Sequence, residues 1–310
     1  MRLRELGEYA LIEALTKTLK DVYPENPLPP GDDAAAVRIG NYWAVLKIDG
    51  TDSHSSRYPW LTLGDLAYRV ALSTVTDVIS KGAKPIALTL SLGIPKDYEE
   101  EVVYEIIDGV KELVKSINAY YLGGDINSSI NDYVWLDVAG MGLAKKLIPN
   151  NTFMDGDTVY ITGCIGLSSI EALTYYRKLD VGVVKEYLEV RRRPKPPIDF
   201  LKLASKVKAS TDISDGLYSI TKVIRRLGLD LILNEDLPIC DEVFEFMRRF
   251  GIDLNDVLRY LGEEYTIVFS FEGKLSRYPV LGTLRKGKGR VFYGGKQLVG
   301  GWDNFRGFIG

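Results

Sequence analysis

Short aspartate-bearing turns recur along this chain, each where a strand or a helix is predicted to begin or end. The first is Gly31-Asp32-Asp33-Ala34-Ala35, in which two adjacent carboxylates follow a glycine and lead into an apolar run. Adjacent side chains on an extended backbone point in opposite directions, so we expect Asp32 and Asp33 to have different roles. A turn that caps a strand would explain this segment. Carboxylate oxygens are also preferred ligands of Mg²⁺ and Ca²⁺, so the turn is a candidate cation site.

A second acidic turn, Thr211-Asp212-Ile213-Ser214-Asp215-Gly216, stands before an amphipathic helix. Capping of that helix accounts for one of its polar side chains and leaves the others without a structural reason. A third turn, Gly163-Cys164-Ile165-Gly166, joins a strand to a helix. This geometry can direct backbone N–H groups at a phosphate, although a tight turn alone also explains it.

Hydrophobic periodicity predicts helices over residues 5–19, 65–81, 100–117 and 168–179, and another helix after Asp215. Strands are predicted over residues 42–48, 86–92, 119–122, 134–143, 158–162 and 266–271. Asp65 is a candidate N-cap, and Asp77 lies near the far end of the same helix, where a charge needs a partner. The order predicts an α/β (α+β) fold without a regular βαβ series. The length fits two domains, residues 1–148 and 149–310.

Composition and charge exclude several classes of function. A formal net charge of -3 offers no broad basic surface for nucleic acid, and Arg191-Arg192-Arg193 is interpreted as a solvated helix end. No signal-like segment or bilayer-length apolar run is present, so we expect no membrane association and a cytoplasmic location. Cys164 and Cys240 are far apart in sequence, which predicts a reducing setting without a disulfide framework or zinc knuckle.

The single histidine limits the possible chemistry. A Ser-His-Asp triad or a His-rich metal site would have to use His54. No Gly-x-x-x-x-Gly-Lys-Ser/Thr loop is present, so a Walker-type phosphate cradle is excluded. What remains is a set of carboxylates at element ends in both halves, as expected for hard cations that bridge a polyphosphate. The set is Asp33, Asp49, Asp77, Asp125, Asp212 and Asp215.

Five segments resemble, in order, the motifs of the thiamine-monophosphate kinase family, within the aminoimidazole ribonucleotide synthetase superfamily. They are Gly31-Asp32-Asp33-Ala34-Ala35, Gly123-Gly124-Asp125, Ser214-Asp215-Gly216-Leu217, Gly262-Glu263-Glu264-Tyr265 and Gly301-Trp302-Asp303-Asn304-Phe305. The likeness covers nearly the whole chain. The first segment is shared across the superfamily, whereas the last two point more narrowly to the kinase.

This resemblance implies a two-domain fold whose N-terminal domain closes a β-barrel with that of a second subunit, giving a homodimer. It implies Mg²⁺-dependent, direct in-line phosphorylation of thiamine monophosphate to thiamine diphosphate by ATP. Carried over by motif, the magnesium ligands are Asp33, Asp49, Asp77, Asp125, Asp212 and Asp215, of which Asp33, Asp125 and Asp215 are the catalytic set. The ATP contacts are Gly124, Asp125, Ser214 and Asn150, and the substrate contacts are His54, Glu263 and Trp302, whose indole would stack on the aminopyrimidine ring.

Some residues depart from the family pattern near the first strand. Lys47 and Ile48 stand where hydroxyl residues usually precede Asp49, which removes oxygen ligands and adds a cation. Asp52 is a rival match for Asp49, although the spacing to the following helix favours Asp49. His54 does not stand at the spacing of the family histidine.

Two further departures lie later in the chain. Asn150 replaces an arginine that usually reaches ATP, and Leu261 replaces the first glycine of the usual Gly-Gly-Glu. These differences leave two alternatives open. One is another ATP-using enzyme of the superfamily, a ligase or cyclase similar to aminoimidazole ribonucleotide synthetase. The other is a non-catalytic paralogue that binds nucleotide.

Overall fold

The computed structural model describes residues 2–23, 25, 27–130 and 132–308, which adopt a mixed α/β fold with two main sheets. The helices are α1 (Leu3–Leu6), α2 (Glu8–Thr18), α3 (Leu63–Ser80), α4 (Glu100–Ser116), α5 (Leu167–Tyr176), α6 (Val181–Val190), α7 (Leu217–Arg226), α8 (Asp241–Phe250) and α9 (Leu254–Arg259). The strands are β1 (Ala35–Ile39), β2 (Tyr42–Asp52), β3 (Lys84–Pro95), β4 (Tyr120–Ser129), β5 (Trp135–Ala144), β6 (Thr158–Ile161), β7 (Val207–Asp212), β8 (Leu229–Leu233), β9 (Ile267–Phe271), β10 (Val280–Lys286), β11 (Val291–Tyr293), β12 (Lys296–Leu298), β13 (Trp302–Asp303) and β14 (Gly307–Phe308).

The first sheet has the strand order β1-β2-β5-β3-β4, with β3 and β4 parallel and the other neighbours antiparallel. Helix α3 packs on β2 and β5, and α4 packs on α3. The alternation along β3 buries Leu88, Leu90 and Leu92, as expected for a strand with one covered face. Large apolar side chains of this sheet nevertheless remain exposed: Val37, Ile39, Leu46, Ile48, Tyr120, Leu122, Ile126 and Trp135.

The second sheet has the strand order β12-β11-β8-β10-β6-β9-β7, and β13 pairs with β14 as a separate ribbon. All strands of the first sheet precede residue 149, and those of the second follow it. The apolar core crosses this point, because Leu90 and Leu66 share one cluster with Tyr160, Phe200 and Phe269. The division into domains 1–148 and 149–310 stays a prediction.

Two local expectations need correction. Helix α3 begins two residues earlier than predicted, with Thr62 as its N-cap, and Asp65 completes a capping box from inside the first turn. Strand β4 extends well past Leu122, because its parallel pairing with β3 continues to Ser129. Gly123-Gly124-Asp125 therefore lies inside an edge strand and not after a strand end.

The expectation of a reducing setting without a disulfide framework needs correction. Cys164 and Cys240 form a disulfide with a Cα–Cα distance of 5.0 Å, although 76 positions separate them. They meet because Ile165 and Ile239 form a β-bridge and the Cys240 N–H donates to the Ile165 carbonyl. The cysteine count therefore gives no support for a reducing compartment.

Among the helices of the described residues, none has the length and apolar character needed to cross a bilayer.

Candidate active site

The turn at Asp33 is fixed where the two halves of the chain meet. The Thr211 hydroxyl, at the end of β7, donates to Asp33 Oδ1 over 2.9 Å. Lys81, directly after α3, places its Nζ 2.6 Å from Asp33 Oδ2 and donates to the Ser210 carbonyl over 2.8 Å. The Lys81 side chain is fully buried, so its charge must be balanced by these oxygens. One ammonium group thus joins the acidic turn, α3 and β7.

Asp32 and Asp33 have different surroundings. The Asp32 carboxylate is fully buried and accepts hydrogen bonds from Lys81 Nζ (2.7 Å) and from the backbone N–H of Asn150 (3.0 Å). Burial raises the pKa of Asp32, while Lys81 acts in the opposite direction. The Asp33 carboxylate keeps some contact with solvent. Asp32 is therefore placed to hold the turn together, and Asp33 to meet a ligand.

Asp77 lies in the last turn of α3, where the helix dipole disfavours a carboxylate. Lys47 Nζ, from β2, lies 2.5 Å from Asp77 Oδ2 and 3.2 Å from Asp49 Oδ1. Burial opposes the charge of Lys47, but Asp77 and Asp49 together hold its pKa well above the ordinary value. Asp49 also accepts a hydrogen bond from the Thr74 hydroxyl over 3.0 Å. Asp49, and not its rival Asp52, belongs to this group.

The carboxylates in and next to this group outnumber the protein cations, and Lys47 offsets only part of their charge. Burial, and then the charge of Asp212, raises the pKa of Asp77 well above its ordinary value. Burial followed by the charge of Asp33 has the same effect on the pKa of Asp212. For Glu263 the causes of a strongly raised pKa are burial and then the charge of Asp49. An added cation would stabilise such a cluster.

Asp215 stands in the turn between β7 and α7, and Lys222 Nζ lies 2.6 Å from its Oδ2. Burial raises the pKa of Asp215, which the Lys222 charge partly offsets. The expectation that a polar side chain caps α7 is wrong, because the N-cap is Gly216 and no side chain accepts from the first turn. At Gly216 φ is +65°, and a Cβ would lie 2.2 Å from the Leu261 carbonyl oxygen. Ser214, half-buried in the same turn, likewise has no capping role.

Glu263 and Trp302 flank the Asp215 turn. Glu263 Oε2 accepts a hydrogen bond from Ser73 of α3 over 3.2 Å. The Trp302 backbone N–H donates to the Asp215 carbonyl over 3.3 Å, and the half-buried indole packs edge-on against Phe308. The structure therefore brings together Asp33, Asp49, Asp77, Asp212, Asp215 and Glu263, with Trp302 at one end.

Asp125 and Gly124 do not join that cluster. Asp125 is in register with Ser91 and Asp137, whereas Asp49 is in register with Val138 in the adjacent row of the sheet. Adjacent rows face opposite sides, so Asp125 points away from the Asp49 face. It accepts a hydrogen bond from Asn127 over 2.6 Å. At Gly124 a Cβ would lie 1.7 Å from the Leu90 carbonyl oxygen, so close strand approach requires glycine here.

His54 and Asn150 lie at the margins. His54 is exposed, in a turn that Asp52 organises by accepting from its backbone N–H and from that of Ser55. Asn150 is buried, its Oδ1 accepts from Arg226 Nη2 over 3.3 Å, and its Nδ2 has no partner within the described residues. Asn150 therefore contacts the acidic turn through Asp32 and Arg226.

The turn after β6 does not present free amides to a phosphate. The backbone N–H groups of Gly166 and Ser168 both donate to Glu264 Oε1 over 3.2 Å. The anion that these amides bind at the start of α5 is therefore the Glu264 carboxylate of the chain itself. The interpretation of the arginine run as a solvated helix end is also wrong for Arg191, which is buried, pairs with Glu171 and donates to the Glu263 carbonyl.

Sequence patterns did not identify the lysines at this site. Lys81 and Lys222 each pair with a carboxylate of the acidic turns, and only Lys47 stood out beforehand, as a cation beside a predicted ligand. Asp77, a charge on an apolar helix that required a partner, was a second signal for Lys47, which supplies that partner, whereas no such signal pointed to Lys81.

The donor chemistry fits Mg²⁺, since the cluster offers carboxylate oxygens from both halves of the chain. In the part of the chain that the structure describes, however, no three Asp, Glu, His or Cys side chains are arranged to hold one metal ion. Lys47 lies between Asp49 and Asp77, and Lys81 lies between Asp32 and Asp33. Protein ammonium groups take part of the space that cations would use.

Comparison with known proteins places this site in context. Residues 31–144 match the family model of AIR synthase related protein, N-terminal domain. The thiamine-monophosphate kinase of Pyrobaculum calidifontis is 31% identical over 270 residues, covering 85% of this chain and 88% of the relative. That of Aquifex aeolicus is 28% identical over 320 residues, covering 98% and 100%. The solved structure of AaThiL complexed with AMPPCP and TMP superposes with a TM-score of 0.86 at 25% identity, covering 98% of this chain and 99% of that chain.

Proposed function

The chain belongs to the thiamine-monophosphate kinase family of phosphotransferases, and we propose that it transfers the γ-phosphoryl group of ATP to thiamine monophosphate in a Mg²⁺-dependent reaction. The products are thiamine diphosphate and ADP. The complex of AaThiL with AMPPCP and TMP supports the choice of ligands.

The observation that carries this proposal is the convergence of carboxylates from both halves of the chain. Asp33, Asp49 and Asp77 come from the first half, and Asp212 and Glu263 from the second. Besides burial, the charge of Asp212 raises the pKa of Asp77, that of Asp33 raises the pKa of Asp212, and that of Asp49 raises the pKa of Glu263, so these carboxylates form one cluster. A merely structural cluster would be balanced by arginine or lysine. This cluster has an excess of negative charge that bound cations would offset.

The reaction brings together two anions, and this sets what the protein must do. Two unit charges 4 Å apart repel by roughly 4 kcal/mol at an effective dielectric near 20. The attacking phosphate oxygen is already anionic near neutral pH, because a phosphomonoester has a second pKa of about 6. No strong general base is needed, which agrees with an exposed His54 outside the cluster. The protein's contribution is charge compensation and in-line alignment.

The proposed magnesium ligands within the cluster are Asp33, Asp49, Asp77, Asp212 and Asp215, with Asp33 and Asp215 as catalytic residues. Asp125 faces the other side of the sheet, so its role as a ligand and catalytic residue stays a prediction from the family motif alone. Bound magnesium would neutralise phosphate charge and align the reacting groups. Thr211 and Thr74 orient Asp33 and Asp49 by donating hydrogen bonds to them. Lys81 fixes the acidic turn to β7, so that residues distant in sequence keep one geometry.

The proposed substrate contacts are those that the family motifs imply. Glu263, Trp302 and His54 would bind thiamine monophosphate, with the indole of Trp302 on the aminopyrimidine ring. Gly124, Asp125, Ser214 and Asn150 would contact ATP. The position of Trp302 supports the first assignment, since its backbone N–H donates to the Asp215 carbonyl and so holds this residue beside the acidic turn.

We also propose a homodimer in which the first sheets of two subunits close a β-barrel. The exposed apolar side chains of that sheet support this, including Leu46 and Ile48 on the face turned away from α3, because such a surface on a single chain favours association. Strand β4, which carries Gly124 and Asp125, is one edge of the first sheet. The proposed setting is the cytoplasm, and a disulfide is compatible with it in hyperthermophiles, whose intracellular proteins are disulfide-rich.

The test is to incubate purified protein with ATP, Mg²⁺ and thiamine monophosphate and to measure thiamine diphosphate by chromatography. We expect product in the complete mixture and none when EDTA replaces Mg²⁺. Asp215→Asn should cut turnover by orders of magnitude with little change in melting temperature. The control variant is Asp199→Asn, which alters an exposed aspartate paired with Lys202 and should leave turnover unchanged.

The same assay distinguishes the alternatives. ATP binding by calorimetry without thiamine diphosphate would favour the non-catalytic paralogue. ATP hydrolysis that depends on a different acceptor would favour a ligase or cyclase of the superfamily. Equal rates of product formation by the wild type and by Asp215→Asn would mean that the cluster takes no part in catalysis.

A further inference from the structure

Lys47 occupies an unusual position for a lysine. It lies on the same side of β2 as Val45 and Asp49, beneath α3, while Leu46 and Ile48 point the other way. Its partner across the sheet is Gly140, where a Cβ would lie 2.7 Å from Thr74 Cγ2 of α3. The helix and sheet are thus too close for a side chain opposite Lys47, and the lysine stem extends between them.

The Lys47 ammonium group bridges two of the proposed magnesium ligands. Its Nζ lies 2.5 Å from Asp77 Oδ2 and 3.2 Å from Asp49 Oδ1, and the charge of Asp212 also acts on it. Magnesium binds carboxylate oxygens at 2.0–2.1 Å. A divalent ion shared by Asp49 and Asp77 on this side would therefore coincide with the ammonium group.

We propose that Lys47 is a resident monovalent cation that takes one cation position in the carboxylate cluster, so that the chain binds one divalent ion fewer than its carboxylates could hold. The proposal rests on the proposed function only in treating the cluster as a divalent-cation site. Lys47 is a positioning residue in this role, because it holds Asp49 and Asp77 together before any metal arrives.

Lys81 and Lys47 differ in a way that supports this assignment. Lys81 is fully buried and also donates to the Ser210 carbonyl, so it joins segments of the fold. Lys47 is 23% exposed and has only carboxylates as partners among the contacts of the described residues. Lys47 is therefore held by the carboxylate cluster, whereas Lys81 also ties together segments of the fold.

The test counts divalent ions without turnover. Wild-type protein and Lys47→Met are dialysed against Mn²⁺, and bound metal per chain is measured by atomic emission, with affinity from the Mn²⁺ electron paramagnetic resonance signal. We expect Lys47→Met to bind one additional ion, or to bind the same number at least about tenfold more tightly, since removal of one cation leaves two carboxylates uncompensated. The count does not depend on thiamine diphosphate formation, so failure of the kinase assignment and failure of this proposal are distinguishable.

The matched control is Lys208→Met. Lys208 is 25% exposed and pairs with Asp157, outside the cluster, so it has the same residue type and nearly the same exposure as Lys47. Its replacement should leave the metal count unchanged. If Lys47→Met does not fold without metal, recovery by Mn²⁺ supports the proposal, and Lys47→Gln repeats the count with a polar neutral side chain.

Two outcomes would overturn the proposal. One is an equal count and affinity in wild type, Lys47→Met and Lys208→Met. The other is an unchanged metal count and an unchanged metal affinity together with weaker binding of a non-hydrolysable ATP analogue, which would make Lys47 a phosphate contact and not a substitute for a metal ion.

Discussion

Two buried groups of charged residues lie close to each other in this molecule and differ in their balance. In one, Glu171 accepts from Arg69 Nη1 and Nη2 at 3.1 and 2.7 Å and pairs with Arg191 Nε at 2.9 Å. Arg69 also donates to the Arg191 carbonyl over 2.5 Å. In the other group, around Asp77 and Asp212, the negative charges of the carboxylates outnumber the neighbouring cations.

The difference separates a structural group from a functional one. Around Glu171 every charge has a partner, and burial of a paired group is tolerated because hydrogen bonds replace water. In the carboxylate cluster, burial and mutual repulsion raise the pKa values of Asp77, Asp212 and Glu263. A fold tolerates such a cluster where a ligand supplies the missing charge.

The largest expected effect is on the balanced group. Arg69→Met should lower the free energy of unfolding by about 3–5 kcal/mol, because it leaves Glu171 buried with only one guanidinium partner. Urea unfolding in EDTA measures this. Arg277→Met, which removes an exposed arginine paired with Asp199, should cost less than about 1 kcal/mol. Equal losses in the two variants would mean that the Glu171 group is not a structural centre.

The acidic cluster should respond in the opposite way. Asp212→Asn removes one of the uncompensated charges, so the metal-free protein should keep its stability or gain about 1 kcal/mol. Turnover should fall by at least about 100-fold, because a proposed magnesium ligand is lost. Urea unfolding and thiamine diphosphate formation, measured on the same preparation, give both quantities. A destabilised variant with normal turnover would assign Asp212 to the fold.

The pH dependence of stability sharpens the same contrast. The pKa values of Asp77, Asp212 and Glu263 are raised in the folded state, so the folded protein binds protons more tightly there than the unfolded chain does. The stability that these groups contribute is fully present below their unfolded pKa of about 4. It is lost as pH rises through their pKa values in the folded state. In EDTA, the free energy of unfolding should therefore fall as pH rises above the unfolded pKa of about 4, by up to about 1.4 kcal/mol per unit for each proton released.

Magnesium provides the control for that experiment. With Mg²⁺ bound, the slope should flatten, since the ion stabilises the charged carboxylates. A carboxyl group with a lowered pKa, such as Asp230 beside Arg290, has the opposite effect. It makes the folded state less stable as pH falls, and only below about pH 4. A slope that is flat in EDTA would contradict the excess of negative charge.

Much of the fold is predictable from the sequence because local patterns determine it. Helix α4 is observed at Glu100–Ser116 against a prediction of 100–117, since its apolar face repeats at helical spacing. The placement of Gly123-Gly124-Asp125 failed for a physical reason. Parallel pairing with β3 extends β4 to Ser129, and a partner strand cannot be read from the segment itself.

Partners of buried charges were not predictable in the same way. The acidic turns identified Asp33, Asp77 and Asp212, but nothing local shows that Lys81 closes on Asp33 or that Arg191 is buried against Glu171. The disulfide failed likewise, because the bridge between Ile165 and Ile239 brings together cysteines that are distant in sequence. Contacts between segments far apart in the chain depend on the whole topology.

The smallest effect is expected for Trp302, which lies at one end of the carboxylate cluster and carries no charge. Trp302 is half-buried, contacts Phe308 and is joined to Asp215 through its backbone N–H. Trp302→Ala should weaken binding of thiamine monophosphate about tenfold, through loss of stacking, and leave binding of an ATP analogue roughly unchanged. Calorimetry with each ligand measures this, and Trp302→Phe, which keeps an aromatic face, should recover most of the affinity. Equal losses for both ligands, without rescue by phenylalanine, would assign the indole to packing of the β13–β14 ribbon, so that substrate selection would rest on the carboxylates alone.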